Sequence, residues 1–191
     1  SSWNQQFDCS HVKPLIVCRG PIRVEAIEVF SSLGTQPPGI LISEKDSITY
    51  PMTLAPELRI LENPASQAHV IEDYMGGTPE TKQKIINKII TICHDHHYSH
   101  LFAGYGFMAE DYEFIEQVEQ AGITFIGPNS QVIRQAGAKD TAKQLARDLG
   151  VSVTPGIDHL TAQTLLRQAG ETPVEEYLSS LPQKHNLSFS K

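Results

Sequence analysis

Two glycines separated by one residue follow a short apolar segment near the middle of the chain, and this loop could take part in chemistry. Residues 101–106 read Leu-Phe-Ala-Gly-Tyr-Gly, and residues 123–128 read Ile-Thr-Phe-Ile-Gly-Pro. Glycine lets the backbone turn sharply or approach a ligand closely because it has no Cβ atom. Ligands of open α/β sheets bind at the carboxyl ends of the strands. The spacing therefore predicts a ligand-binding edge at Gly104 and Gly127.

The same loop fits the loose dinucleotide-binding pattern Gly-x-Gly-x-x-Ala, from Gly104 to Ala109. In dinucleotide-binding folds the pattern follows the first strand, and an acidic residue about 20 positions further on binds the ribose. In this chain the loop follows a later predicted strand, and Thr124 and Phe125 stand where the acid would be. We therefore disfavour a nicotinamide site. A tight strand-to-helix turn without a ligand is the plainer alternative.

A histidine-rich segment offers a second kind of chemistry, metal binding. Residues 93–100 read Cys-His-Asp-His-His-Tyr-Ser-His, so Cys93 and His97 are four positions apart, as are His96 and His100. Such a spacing can chelate a metal on one helix face. The segment lies, however, at the predicted end of a helix, where histidines interact favourably with the helix dipole. We predict no structural zinc site, and adventitious metal binding stays open.

Length and charge limit the class of protein. A chain of 191 residues, 40% of them hydrophobic, suits one globular domain or one domain plus part of a second. The net charge of −7 disfavours nucleic acid and anionic membranes as partners, because both bind basic surfaces. Three widely spaced cysteines imply no disulfide framework. Without a signal-peptide pattern or a membrane-length apolar run, we expect a cytoplasmic protein.

The elements that must position these residues alternate between strands and helices. The predicted strands are Pro14–Cys18, Gly39–Ser43, Leu58–Leu61, His100–Ala103 and Ile123–Ile126. The predicted helices are Ile22–Leu33, Ser47–Leu54, 79–97, Glu110–Ala121, Ser130–Gly137, Ala138–Leu149, Leu160–Gln168 and Val174–Leu181. This alternation predicts an α/β fold with a doubly wound, mostly parallel sheet flanked by helices. On the first helix, apolar residues recur at Ile22, Ala26, Val29, Phe30 and Leu33, which we predict to face the core.

Several ordered motifs together resemble the N-terminal domain of biotin carboxylase, the ATP-grasp component of acyl-CoA and pyruvate carboxylases. Gly-Tyr-Gly-Phe at 104–107 and Phe-Ile-Gly-Pro at 125–128 match the family. Cys-Arg-Gly-Pro-Ile at 18–22 stands where the family has Asn-Arg-Gly-Glu-Ile, and Ser-Glu-Lys-Asp at 43–46 stands where it has Ser-Glu-x-Asp. Phe-Ala replaces the usual His-Pro before the glycine loop. The likeness favours a divergent acetyl-CoA or acyl-CoA carboxylase form.

The resemblance implies a domain organisation. Residues 14–158 would form the Rossmann-like pre-ATP-grasp domain, which ends with Thr-Pro-Gly-Ile-Asp where the family has Val-Pro-Gly-x-Asp. Residues 1–13 are expected to form a flexible arm, and residues 159–191 a helical extension that opens the ATP-grasp lid region. After Gly170 no glycine follows, so the glycine-rich lid itself is not expected in this chain.

The resemblance also implies site residues and cofactors. Tyr105 and Gly106 would line the biotin and bicarbonate side of the cleft. Lys139 lies in a segment similar to the family's Met-Gly-Asp-Lys, whose lysine binds ATP phosphate. The parent reaction uses ATP and magnesium, with carrier-bound biotin as substrate. The implied partners are the remaining ATP-grasp domains, the biotin carboxyl carrier and the carboxyltransferase.

Two other functions stay open at this point. The same fold could serve as a non-catalytic binding or scaffold module, or it could belong to an ATP-grasp ligase that acts on a carboxylate other than bicarbonate. Fold alone does not decide between them, because function depends on the site. On every one of these interpretations we expect the chain by itself to be catalytically inactive, since the lid and the magnesium ligands would come from elsewhere.

Overall fold

The structure is a computed structural model that describes residues 7–18, 21–43, 56–74, 76–137, 139–153 and 162–184. The chain divides into two compact units, Ser1–Arg134 and Gln135–Lys191. No helix of the described segments is long and apolar enough to cross a lipid bilayer. The sequence-based boundaries of the arm, the domain and the extension stay predictions.

Five short strands of the first unit form one parallel sheet in the order β3-β2-β1-β4-β5. The strands are β1 Pro14–Ile16, β2 Gly39–Ser43, β3 Ala68–Ile71, β4 His100–Phe102 and β5 Thr124–Phe125. The central strand β1 pairs Leu15 with Gly39 on one side and with Leu101 on the other. The chain winds outward from β1 through β2 to β3 and then crosses to β4. The gap between β1 and β4 is therefore the point where the winding direction reverses.

Helices of the first unit cover both faces of this sheet, and the second unit consists of further helices. In chain order they are α1 Pro21–Ser32, α2 Pro56–Arg59, α3 Pro64–Gln67, α4 Pro79–Asp95, α5 Tyr112–Gln120, α6 Ser130–Gly137, α7 Lys139–Asp148, α8 Ala162–Ala169 and α9 Val174–Lys184. A 3₁₀ turn, Phe107–Glu110, precedes α5. The long helix α4 starts where the sequence predicts, because Thr78 caps it by accepting from the backbone N–H of Thr81, and Pro79 fits its first position.

Side chains of successive strand residues point to opposite faces of the sheet, so the apolar core consists of two clusters. On one face, the side chains of Leu15, Leu41 and Leu101 pack with α4 and α5, through residues such as Ile89 and Phe114. On the other face, a second set packs with α1: Ile16, Cys18, Ile40, Ile42, Ala26, Ile27 and Phe30. Successive strand residues point to opposite faces, so a strand that is buried on both sides must be apolar throughout. The predicted doubly wound α/β fold is confirmed.

The third strand lies elsewhere than predicted. The segment Leu58–Leu61 is the end of α2 and a turn, and Leu61 is buried without being part of a strand. The strand is Ala68–Ile71, which contains one histidine and has a half-exposed valine. An edge strand needs fewer apolar residues than a central one, so its sequence signal is weak. The predicted helix Ser47–Leu54 lies outside the described residues.

The buried face of α1 is also different from the prediction. Val29 is 47% exposed, whereas Ile27 and Arg23 are buried. The true inner face follows positions 23, 26, 27 and 30, a regular helical stripe. An arginine occupies the first of these positions. A prediction from apolar residues alone therefore chose the neighbouring Ile22 and missed the true inner face. The inner faces of α4 and α5 are apolar throughout: Ile86, Ile89, Cys93, Phe114, Ile115 and Val118 are buried, and Ile85 and Ile90 are partly buried against them.

Candidate functional site

A recess opens at the carboxyl edge of the sheet, where β1 and β4 diverge. Its volume is about 90 Å³. The lining residues come from the ends of β1 and β4, from α1, from the loop after β3 and from the 3₁₀ turn: Val17, Cys18, Ile22, Tyr74, Ala103, Tyr105, Gly106 and Met108. None of these eight side chains is a carboxylate, a lysine or an arginine. The described part of the lining is thus mainly apolar, with the Tyr105 side chain and backbone groups as its polar partners.

The glycine loop forms the outer wall of this recess. Gly104 and Gly106 both have positive φ angles, 73° and 68°, which place them in the left-handed region that favours glycine. An alanine Cβ at Gly104 would lie 2.7 Å from the Cβ of Cys18, so the loop backbone rests directly on that residue. Tyr105, between the two glycines, is 77% exposed. The loop thus presents one aromatic ring and adjacent peptide groups at the mouth of the recess.

Behind the recess, one tyrosine hydroxyl joins the ends of several elements. Tyr74 Oη accepts from Arg23 Nη2 at 2.8 Å and from the backbone N–H of Ser43 at 3.1 Å. The same hydroxyl donates to the carbonyl oxygen of Leu41 at 3.2 Å. Arg23 Nε also donates to the carbonyl oxygen of Cys18 at 2.9 Å. These bonds use the donor and both acceptor positions of the hydroxyl, so Tyr74 is held firmly at this edge of the sheet.

Cys18 contributes an uncharged wall rather than a nucleophile. Only 5% of its surface is exposed. Burial raises the pKa of the Cys18 thiol to about 11, although the nearby charge of Arg23 acts in the opposite direction. The thiolate is the reactive form of cysteine, and it is scarce at neutral pH when the pKa is this high. The side chain therefore acts as a small apolar group of the recess.

A second and larger recess, of about 420 Å³, adjoins the first. Tyr74 and Met108 line both recesses. At its rim, Lys82 Nζ lies 2.7 Å from Asp111 Oδ2 and 2.7 Å from Glu113 Oε2. Burial alone would lower the pKa of Lys82, but the hydrogen bonds and charges of the two carboxylates raise it above its ordinary value. This contact joins α4 to the first turn of α5, directly after the glycine loop and its 3₁₀ turn.

Replacing Lys82 by methionine should weaken this connection. Asp111 also caps α5 by accepting from the backbone N–H groups of Glu113 and Phe114, so it keeps a role without the lysine. We expect a loss of about 1 kcal/mol in the free energy of unfolding. A partly exposed lysine with two acidic partners stabilises the fold only slightly more than a single surface ion pair does. Urea denaturation at low and high salt measures it, and the loss should shrink at high salt.

Lys88→Met, on the same helix, serves as the control, since this lysine is exposed. If both variants lost the same stability, or if salt made no difference, the ion-pair explanation would be wrong.

The predicted site residues are distributed over both units. Tyr105 and Gly106 lie together at the first recess, in the first unit. Lys139 is the first residue of α7, in the second unit, and the placement of its side chain is outside what the structure describes. The segment 154–158 that resembles the family's Val-Pro-Gly-x-Asp also lies outside the described residues. Sequence reasoning missed Arg23 and Tyr74, which have no motif of their own.

The histidine-rich segment lies at the opposite, amino edge of the sheet. His96 is joined there by His69 of β3, and their ring centroids are 4.3 Å apart. Cys93 is fully buried in the core, where burial raises the pKa of its thiol to about 12. In the part of the chain that the structure describes, no three His, Cys, Asp or Glu side chains converge as metal ligands would. The segment thus contributes packing and hydrogen bonds at that edge.

Comparison with known proteins adds evidence that geometry alone does not supply. The family model described as biotin carboxylase, N-terminal domain, matches residues 11–133. Biotin carboxylase 1, chloroplastic, of Populus trichocarpa is 33% identical over 157 residues, which are 82% of this chain and 27% of that protein. Urea amidolyase of Saccharomyces cerevisiae is 31% identical over 142 residues, which are 74% of this chain and 7% of that protein.

Solved structures agree with the sequence comparison. The biotin carboxylase domain of Hydrogenobacter thermophilus 2-oxoglutarate carboxylase, in complex with MgADP, ADP and bicarbonate, superposes with a TM-score of 0.64 at 27% identity. The superposition covers 85% of this chain and 33% of that one. The chain therefore spans about a third or less of the length of these relatives.

Proposed function

The chain belongs to the family of biotin carboxylase N-terminal domains, and from this premise we propose that it forms one wall of the cleft in which bicarbonate carboxylates biotin. The observation that supports this most is the position of Tyr105 and Gly106. Both line the recess at the point where the sheet reverses its winding, which is where open α/β sheets bind ligands. The exposed Tyr105 ring and the peptide groups of the glycine loop offer an apolar contact and hydrogen bonds, both of which suit the ureido group of biotin.

We further propose that the second unit takes part in binding ATP and its magnesium ion. Lys139 is the proposed phosphate ligand. Its position supports this, because the first residue of a helix lies among backbone N–H groups that favour an anion. When bound, magnesium would neutralise phosphate charge during the transfer.

The remaining parts of such an enzyme would come from other domains. We propose the rest of the ATP-grasp fold, a biotin carboxyl carrier and a carboxyltransferase as partners, because the chain covers only 27% of one relative and 7% of another. The names of two relatives mention urea and 2-oxoglutarate, and the motifs resemble acyl-CoA carboxylases, so urea, a keto acid and an acyl-CoA are all candidate acceptors. We propose the cytoplasm as the compartment, in keeping with three free cysteine thiols.

The experiment measures ADP release by the polypeptide together with its natural downstream sequence, in the presence of ATP, magnesium and bicarbonate. We expect free biotin to stimulate ADP release, and Lys139→Ala to lower the stimulated rate at least ~10-fold, because a charge that stabilises the transferring phosphoryl group is removed. Lys143→Ala, one turn further along α7, is the matched control and should retain most of the rate. The 191-residue chain alone should release no ADP.

Other outcomes would redirect the proposal. ADP release that ignores biotin would indicate an ATP-grasp ligase with another substrate. No ADP release by the extended polypeptide would leave a binding or scaffold module. If Lys143→Ala lost as much activity as Lys139→Ala, the specific assignment of Lys139 would be wrong.

A further inference from the structure

The most deeply buried charged side chain of the described residues lies beside the first recess, and the proposed function gives it no role. Arg23 of α1 is only 1% exposed. Burying a guanidinium is costly, and apolar residues of similar volume often replace buried charges without loss of stability. A stability role therefore explains this arginine poorly. Its contacts suggest another reason for its presence.

Arg23 reaches the glycine loop through Cys18. Its Nε donates to the Cys18 carbonyl oxygen at 2.9 Å, which fixes the backbone just after β1. The side chain of Cys18 in turn supports Gly104, since an added Cβ there would come within 2.7 Å of the Cys18 Cβ. Closely packed groups transmit small displacements because there is no free space to absorb them. A shift of Cys18 must therefore move the loop that carries Tyr105.

Arg23 reaches the other wall of the recess through Tyr74. The bond from Nη2 to Tyr74 Oη is 2.8 Å long, and Tyr74 lines the same recess as the loop. The planar guanidinium offers Nε and Nη2 in a fixed relative geometry, which a lysine ammonium does not reproduce. One side chain thus sets the distance between the end of β1 and the residue after β3.

We propose that Arg23 is a positioning residue, which holds Cys18 and Tyr74 in place and so determines where Tyr105 and Gly106 stand at the recess. The inference about loop geometry is independent of any ligand. Only its consequence for biotin carboxylation rests on the proposed function, where misplacement of Tyr105 would weaken substrate binding.

The test compares the backbone amide NMR signals of Tyr105 and Gly106 among variants of the 191-residue chain. Arg23→Gln, Arg23→Lys and Tyr74→Phe should each shift both signals well beyond the line width. Arg23→Lys should do so although it keeps the charge, because it loses the two-point contact. The control is Ile89→Val, a core change in α4 that costs about 0.5–1.5 kcal/mol and contacts neither the arginine nor the tyrosine through a hydrogen bond. Its loop signals should stay in place.

Clear outcomes would overturn the proposal. Loop signals unchanged in Tyr74→Phe and Arg23→Lys, or shifted equally in Ile89→Val, would show that Arg23 does not position the loop. If Arg23→Gln fails to fold, the other two variants decide. Because no substrate is present, failure here is distinct from failure of the proposed function. In the extended polypeptide, Arg23→Lys should raise the KM for biotin several-fold and leave the KM for ATP unchanged.

Discussion

Replacing Gly104 by alanine is expected to lower the free energy of unfolding by about 2–5 kcal/mol. Two effects add. Gly104 has a φ of 73°, and an L-residue in the left-handed region costs about 1–2 kcal/mol. The new Cβ would also lie 2.7 Å from the Cys18 Cβ, and overpacking of this kind costs about 1–3 kcal/mol. Urea denaturation followed by circular dichroism measures the sum.

Alanine substitutions at two further glycines distinguish the conformational cost from the steric cost. Gly34 and Gly122 have φ angles of 73° and 78°, and an added Cβ would meet no atom within 4 Å at either position. Alanine at each should therefore cost only the conformational part, about 1–2 kcal/mol. Gly122 precedes β5, away from the recess, so it controls for any effect of the loop itself. If Gly104→Ala were no worse than these two, the contact with Cys18 would not be as close as the structure shows.

The steric part has its own check. Cys18→Gly removes the Cβ that the new methyl group would meet. In a double-mutant cycle, Gly104→Ala should cost less in the Cys18→Gly background than in the natural one, by about 1–3 kcal/mol. If the effects of the two substitutions on the free energy of unfolding were additive, the whole loss in Gly104→Ala would come from backbone conformation.

The residues of the recess illustrate what the sequence could and could not predict about the site. The glycine loop was predictable, because Gly104 and Gly106 follow an apolar strand and few other residues suit such a turn. The role of Tyr74 was not predictable. Its segment follows β3, the strand with the weakest sequence signal, and no local motif marks Tyr74 as a partner of Arg23, 51 positions away. Hydrogen bonds between distant residues depend on the tertiary fold, which local periodicity does not encode.

The same distinction holds for the fold. The two-sided burial of β1 and β2 makes them continuous apolar runs, and the cap at Thr78 marks the start of α4, so the sequence predicts all three. The strand Ala68–Ile71 escaped prediction because an edge position tolerates a histidine. The inner face of α1 was predicted wrongly for a similar reason, since the buried charge of Arg23 interrupts the apolar pattern. In both places a polar residue occupies a buried or half-buried position for a specific contact.

The largest pH effect is expected at the amino edge of the sheet, around His69. Burial, then the nearby His96 and Lys13, lower the pKa of His69 to about 4. Its Nε2 lies 2.9 Å from Tyr98 Oη, whose pKa burial raises to about 12, so a protonated phenol and a neutral imidazole share this hydrogen bond. Lys13 Nζ is fixed nearby, 2.7 Å from the His96 carbonyl oxygen. A protonated His69 would therefore be half buried and repelled by the positive charge of Lys13.

The sign of the effect follows from proton linkage. In the unfolded chain His69 binds a proton near pH 6.5, whereas in the folded chain it does so only near pH 4. Between these values the unfolded state holds more protons, so stability falls as the pH is lowered from about 6.5 to about 4. The full shift would correspond to roughly 3 kcal/mol. Because the side chain is only half buried, solvent screening reduces the expected loss to about 1–2 kcal/mol.

Urea denaturation at pH 7.0 and pH 4.5 measures this loss in the natural chain and in His69→Gln. Glutamine still accepts a hydrogen bond from Tyr98 but does not titrate, so the variant should lose about 1–2 kcal/mol less between the two pH values. His94→Gln is the matched control, since His94 is an exposed histidine near the end of α4 that contacts the Ala121 carbonyl oxygen. The control should retain the pH dependence of the natural chain. Equal slopes in the two variants would mean that the acid sensitivity comes from groups other than His69.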